Sequence, residues 1–183
     1  PWRDRGRRRF IDFGCGTGES SPYFPPESYV GVDIARHYIQ YAQQHRHGQY
    51  AVMSGAGIGF APGSFDGGLV LGVFHHLSDD LVRTAVADLH RVLRPGATLL
   101  VLEDTPSPRP WNVAGHLMHW LDRGDHIRED NDYRLLLQPY FTVRKNYTIV
   151  SGICDLVVYV LDRAEDGPSY SAPATAHSFP AKD

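Results

Sequence analysis

Phe10-Ile-Asp-Phe-Gly-Cys-Gly-Thr-Gly-Glu19 decides how this chain folds. A short apolar run that reads as a buried strand breaks at three alternating glycines, where a helix is expected to begin. Gly14, Gly16 and Gly18 lack a Cβ, so the backbone there can take positive φ and a ligand can lie directly against it. The first N–H groups of the following helical turn then face that ligand. A turn of this kind either serves geometry alone or cradles a nucleotide-like group.

Working outward, Tyr29-Val-Gly-Val-Asp-Ile34 predicts a second strand that ends in a carboxylate. In a βαβ unit the C-terminal ends of neighbouring strands share one edge of the sheet, so Asp33 can face the glycine turn. Its two oxygens suit the two hydroxyls of a ribose. The plainer role for Asp33 is to cap the helix that follows.

Two later stretches extend the pattern. Phe65-Asp66 leads to Val73-Phe-His-His-Leu77, and Leu93-Arg-Pro-Gly96 precedes an apolar run. Together with Phe10–Glu19 and Val30–Ile34, and in that order, these motifs resemble class I S-adenosylmethionine-dependent methyltransferases. The likeness is greatest to the small-molecule group that includes the ubiquinone and menaquinone biosynthesis enzymes, and it covers residues 9–105. It implies an α/β, Rossmann-like three-layer sandwich whose seven-stranded, mostly parallel sheet carries one antiparallel strand.

The same resemblance implies S-adenosyl-L-methionine as cofactor and a small-molecule methyl acceptor attacked by in-line displacement. Carried over residue by residue, it places cofactor contacts at Asp12, Gly14, Cys15, Gly16, Gly18, Asp33, Ile34, Leu71 and Gly72. Ser54 and Gly55 stand where the family often has an acidic residue against the adenine amino group, followed by a small residue. An uncharged Ser54 departs from that pattern, and the glycines of Gly55-Ala-Gly-Ile-Gly-Phe60 suggest a mobile or unusually close loop. A base is needed only if the acceptor must lose a proton, and His76, Asp104 and His126 are the catalytic candidates. Members of the family usually carry covering helices ahead of the first strand, which this sequence lacks.

Composition agrees with one compact domain. The chain has 183 residues, 42% hydrophobic and 21% charged, enough for a sizeable core. A formal net charge of -3 offers no positive field for nucleic acid. Cys15 and Cys154 are too few for a disulfide framework and fit a reducing cytoplasm. No apolar run approaches the length of a membrane span. Oligomeric state is not legible.

Along the chain, Arg3, Arg5, Arg7, Arg8 and Arg9 form a solvated lead-in rather than a phosphate-binding arm. Glu19–Phe24, hemmed in by Pro22, Pro25 and Pro26, allows only a brief helix. Ala35–His47 predicts a helix, Tyr50–Ser54 a third strand, Phe65–Phe74 a fourth, and Asp79–Leu93 a helix with Ser78 as N-cap. Ala97–Leu102 predicts a fifth strand. Glu103-Asp104 beyond it either serves a substrate or is a solvated strand end, the favoured reading. His75 and His76 follow the fourth strand at the ligand edge.

Residues 105–139 read as a substrate-side insertion, with Trp111–Leu121 an amphipathic helix fit for a lid. His116 and His119 stand one helical turn apart, but no further ligand set accompanies them, so no metal is expected. His126 and Arg128 face a substrate in this reading. Glu129–Gln138 predicts a short helix, and Phe141–Ile149 with Ile153–Leu161 a closing hairpin turning at Ser151-Gly152. The domain is thus 1–163, and 164–183 is a flexible tail.

Two other readings stay open. Asp33 lies at a workable distance for a nicotinamide-dependent Rossmann oxidoreductase, although the glycine spacing is not the dinucleotide pattern. A cofactor-binding scaffold or regulator without turnover is the other.

Overall fold

β1 (Phe10–Phe13) is four residues long and lies inside the sheet, with β2 (Tyr29–Asp33) on one side and β4 (Phe65–Leu71) on the other, both parallel to it. The computed structural model describes residues 8–54, 57–106, 126–150 and 155–165. β3 (Gln49–Val52) pairs beyond β2; beyond β4 come β5 (Leu93–Thr105), β7 (Asp155–Arg163) and β6 (Phe141–Val150). The seven-stranded order is β3-β2-β1-β4-β5-β7-β6, and β7 runs antiparallel to both of its neighbours. The sheet therefore matches the architecture expected from the sequence.

The chain steps outward from β1 to β3 in one direction and from β4 to β5 in the other. Right-handed crossovers then put α1 (Arg36–His45) and α2 (Asp79–Val92) on opposite faces. α3 (Asp130–Leu137) packs against α2. Ile11, Phe13, Val30, Val32, Val70 and Val101 are buried in the central strands, apolar on both faces because helices cover both. α2 adds Val82, Ala85, Val86, Leu89 and Val92 at helical spacing. The direction of winding changes between β1 and β4, and a ligand crevice belongs beyond the carboxyl ends of those two strands.

Several boundaries differ from the sequence reading. β4 stops at Leu71, because Gly72 at φ +67° turns the backbone out of the sheet after its N–H bonds the Leu102 carbonyl at 2.8 Å. β5 is longer at both ends than 97–102: it starts irregularly opposite Phe65, and its far end is prolonged by pairing of Glu103–Thr105 with β7. The brief helix after the glycine turn is a single 3-10 turn, Ser21–Tyr23. Ser78 occupies the N-cap position of α2 but makes no side-chain capping bond.

The loop after β3, expected to be mobile or unusually close, is tied to α2 where it is described. Asp88 accepts the Ile58 N–H, and Arg91 bonds the carbonyls of Ile58 and Phe60, each at 2.7 Å. At the end of β7, Ala164 is held by its N–H to Tyr140 and its carbonyl to His90. The remainder of the expected tail, most of the expected insertion including His116 and His119, the turn at Ser151-Gly152, Cys154 and Gly55 lie outside the described residues. Among the described residues no helix is long and apolar enough to cross a membrane, and no group of three metal-ligating side chains is gathered.

Candidate active site

Strand register brings the chemistry to one edge. Phe13 aligns with Val32 and Val70, Asp33 with Val52, and Leu71 with Leu102. Gly14, Ile34, Met53 and Gly72 therefore leave the sheet along one edge, while Glu103 stays in β5, paired with β7, next to Leu102.

The three glycines of the first turn all take positive φ, at +73°, +51° and +77° for Gly14, Gly16 and Gly18. Their surroundings separate their roles. A Cβ on Gly14 would drive into the Val73 side chain, and one on Gly18 would sit 2.6 Å from the Tyr50 hydroxyl. A Cβ on Gly16 would meet nothing within 4 Å. Gly14 and Gly18 thus permit close packing, whereas Gly16 presents bare backbone to an open cradle.

Asp33 closes that cradle. Its Oδ2 accepts the Gly16 N–H at 2.9 Å and its Oδ1 the Ala35 N–H at 2.8 Å, so it braces both the glycine turn and the entry to α1. Each oxygen keeps a further lone pair. Ile34 beside it is 59% exposed, a large apolar side chain at the edge without cover. Arg46, just past α1, reaches back to the Thr17 carbonyl and the Glu19 carboxylate and ties down the far side of the turn.

Two of the expected cofactor contacts, Asp12 and Cys15, have buried side chains. Asp12 is 2% exposed and lies behind the cradle, where the Tyr29 hydroxyl donates to its Oδ2 at 2.5 Å. Burial raises its carboxyl above the usual range, against the opposing hydrogen bonds from Tyr29 and Ser20. Cys15 is also buried, with its Sγ packed where a Cβ on Gly31 would stand. Burial, and then the charges of Asp12 and Asp33, push its thiol up, so it is neutral and inert. Ser54 is half-buried and Leu71 and Gly72 stand at the expected edge.

The opposite side of the edge is organised by Glu103. The expectation of a solvated strand end fails there: Glu103 is fully buried. Its Oε1 accepts the N–H groups of Val73 and Phe74, each at 2.9 Å, and its Oε2 accepts the His75 N–H at 3.3 Å and faces His75 Nδ1 at 2.9 Å. Three successive amides form a nest around one carboxylate. The end of β4 curls into the 3-10 turn Phe74–His76 because Glu103 gathers its N–H groups.

Arg128, read from sequence as facing a substrate, is instead the outer clamp of this turn. It donates to the carbonyls of Phe74, Leu77 and His126 at 2.7, 2.6 and 3.0 Å and pairs with Asp79 at 2.9 Å. Its guanidinium lies 5.8 Å from the centre of the Tyr133 ring. The planar fork is used up in holding structure.

The three catalytic candidates gather around a fourth residue, His75. The exposed His76 ring lies 4.0 Å from that of His75, His126 donates its N–H to the His75 carbonyl at 3.1 Å, and Asp104 Oδ2 is 3.8 Å from His75 Nε2. Asp88 and Arg91 were missed by the sequence reading. Their signal is a charged pair three residues apart beside the apolar stripe of α2, in place of a solvated face.

Residues 11–101 match a family model described as a methyltransferase domain. This stretch carries a methyltransferase domain. The chain's similarity to O-methyltransferase rstn1 from Aspergillus nomiae is 32% identity over 124 residues, 58% of this chain and 52% of that protein. The chain thus spans about half the length of the curated relatives it matches. The methyltransferase domain also shares its fold with an S-adenosylmethionine-dependent methyltransferase from Methanosarcina mazei, at TM-score 0.69 and 18% identity over 87% of this chain and 94% of that one. A similar superposition, TM-score 0.69 at 13% identity over 86% and 75% of the chains, holds for the [4+2]-cyclase SpnF. The domain match and the fungal relatives support the methyltransferase class, the structural likenesses show the fold, and none of them specifically shows the narrower resemblance to quinone-biosynthesis enzymes.

Proposed function

We propose that this methyltransferase domain binds S-adenosylmethionine at the β1–β2 edge and moves its methyl group to a hydroxyl oxygen of a small molecule by in-line displacement. The observation that carries the reading is the pairing of Gly16, whose open face a Cβ would fill, with Asp33 across the same turn. Gly14, Gly16 and Gly18 give backbone to the cofactor, Asp33 gives carboxylate oxygens to its ribose, Ile34 covers its base, Ser54 serves the adenine amino group, and Leu71 and Gly72 flank its methionine end. The bound cofactor supplies a methyl on a positively charged sulfur, a good leaving group.

The protein's own task is then positioning and exclusion of water. Arg128 and the His126 N–H dock the second half of the insertion onto the turn beside His75, which supports residues 105–139 as the acceptor side of the site. Asp104, His76 and His126 lie where an acceptor would enter. The names of the fungal relatives favour oxygen as the acceptor atom and a small molecule as its carrier. The low cysteine count supports a reducing compartment, the cytoplasm. Incubation with methyl-labelled S-adenosylmethionine and fractionated extract tests the reading: label is expected in small metabolites as methyl ethers, and label confined to RNA or protein contradicts it.

A further inference from the structure

His75 sits beyond the end of β4, alongside β5, and its ring meets two consecutive side chains of that strand. Nδ1 is 2.9 Å from Glu103 Oε2, and Nε2 is 3.8 Å from Asp104 Oδ2. The Glu103 carboxylate already accepts three backbone N–H groups, and Nδ1 faces it as a fourth donor. The network therefore assigns the imidazole proton to Nδ1. Nε2 is the ring nitrogen on the side of Asp104.

Exposure orders the two outer groups. Glu103 and His75 have side chains 0% and 6% exposed, whereas that of Asp104 is 19% exposed. An entering molecule reaches Asp104 first. The groups around the ring are His76 on its own turn, Arg128 and Asp79 through the carbonyl clamp, His126 through its N–H, and Tyr133 of α3, whose hydroxyl donates to the Asp104 carbonyl at 3.1 Å.

We propose that Asp104, His75 and Glu103 form a proton-holding array on the acceptor side: Asp104 contacts the acceptor hydroxyl, and His75, held in one tautomer by Glu103, takes over its proton. The proposal rests on the methyl-transfer reading above and names its base. As the acceptor oxygen forms its bond to the methyl carbon, the carbon–sulfur bond breaks with its electron pair left on sulfur. The hydroxyl proton passes to Asp104 Oδ2 and on to His75 Nε2, and is later released to water. With Glu103 at Nδ1 and Asp104 on its Nε2 side, the imidazole has a carboxylate on each side to balance the proton it takes up. Asp104 is the catalytic residue here, and His75 and Glu103 are positioning residues.

The test has two arms. In the first, protein labelled with ¹⁵N-histidine is observed by NMR near neutral pH without cofactor. His75 should carry its proton on Nδ1, D104N should move the Nε2 resonance, and E103Q should shift the proton to Nε2, because the glutamine amide can face Nδ1 as a donor. A proton on Nε2 in the parent protein, or an Nε2 resonance indifferent to D104N, overturns the array. In the second arm, labelled S-adenosylmethionine is supplied with phenol or with the more acidic 4-nitrophenol. D104N, at a partly exposed position that tolerates the exchange, should lower the ratio of phenol to 4-nitrophenol turnover by about 10-fold or more. An unchanged ratio contradicts the assigned base. If the parent protein methylates neither phenol, the acceptor class fails, while the NMR arm still decides the array.

Discussion

The Asp33 carboxylate and the Gly16 N–H meet at 2.9 Å across the mouth of the site, joining the end of β2 to the turn after β1. One residue thus shapes the cradle and offers its remaining lone pairs to whatever lies there. Asp33→Asn preserves size and removes charge. Affinity for S-adenosylmethionine should fall by roughly 10- to 100-fold, the value of a hydrogen bond to a charged group, while stability changes by less than about 1.5 kcal/mol. Titration calorimetry and thermal melting on the same preparation check both numbers, and unchanged affinity contradicts the role.

Gly14 and Gly16 should behave differently despite similar backbone angles. Alanine at Gly16 bears only the left-handed strain, about 1–2 kcal/mol, yet it places a methyl in the cradle and should weaken cofactor binding. Alanine at Gly14 adds the collision with Val73 and should cost about 2–4 kcal/mol. Adding Val73→Ala to Gly14→Ala should recover part of that loss, a coupling measurable in a double-mutant cycle by denaturant unfolding. Independent, additive effects would show that the two side chains do not compete for the same space.

Arg128→Met should destabilise the domain by about 2–4 kcal/mol, because the Phe74 and Leu77 carbonyls lose a charged donor in a buried setting. Arg128→Lys should rescue little, since a single ammonium cannot span those carbonyls and Asp79 together. Chemical denaturation gives the first value, and hydrogen exchange at His76 and Leu77 reports whether the turn loosens locally. A fully stable Arg128→Met protein would contradict the clamp.

Asp12 makes a pH prediction. Burial raises its carboxyl in the folded state, so the native protein binds this proton more tightly than the unfolded chain. Stability from this group is greatest below the unfolded carboxylate value and declines as pH rises through the raised folded one. Asp12→Asn keeps an acceptor for the Tyr29 hydroxyl and removes the buried charge. The variant should be at least as stable as the parent at neutral pH, with its advantage shrinking on acidification. A variant markedly less stable at neutral pH would show that the anion itself is needed.

The seven-stranded sheet and the approach of Asp33 to the glycine turn are legible because they rest on short-range signals. Alternating glycines, a carboxylate ending the next apolar run, and a helix stopped by Arg94-Pro-Gly96 each act within a few residues. The acceptor side was less legible, because its geometry comes from contacts far apart in sequence. Glu103 reads as a solvated strand end until the amides of Val73, Phe74 and His75 close around it, and Arg128 reads as a surface cation until three carbonyls converge on it. His76 matched the resembling family's pattern and lies exposed, whereas its neighbour His75 is buried against Glu103. The burial of Asp12 is not visible in the motif either, because a motif does not show on which side of the strand an acid lies.

The central claim is that the bare backbone at Gly16 and the carboxylate of Asp33 together hold a sulfonium nucleoside. Isothermal titration of folded protein with S-adenosylmethionine, and separately with its demethylated product, tests this most directly. The account predicts saturable one-site binding of both ligands, weakened in the Asp33→Asn protein. Absence of heat and of saturation with either ligand would contradict it.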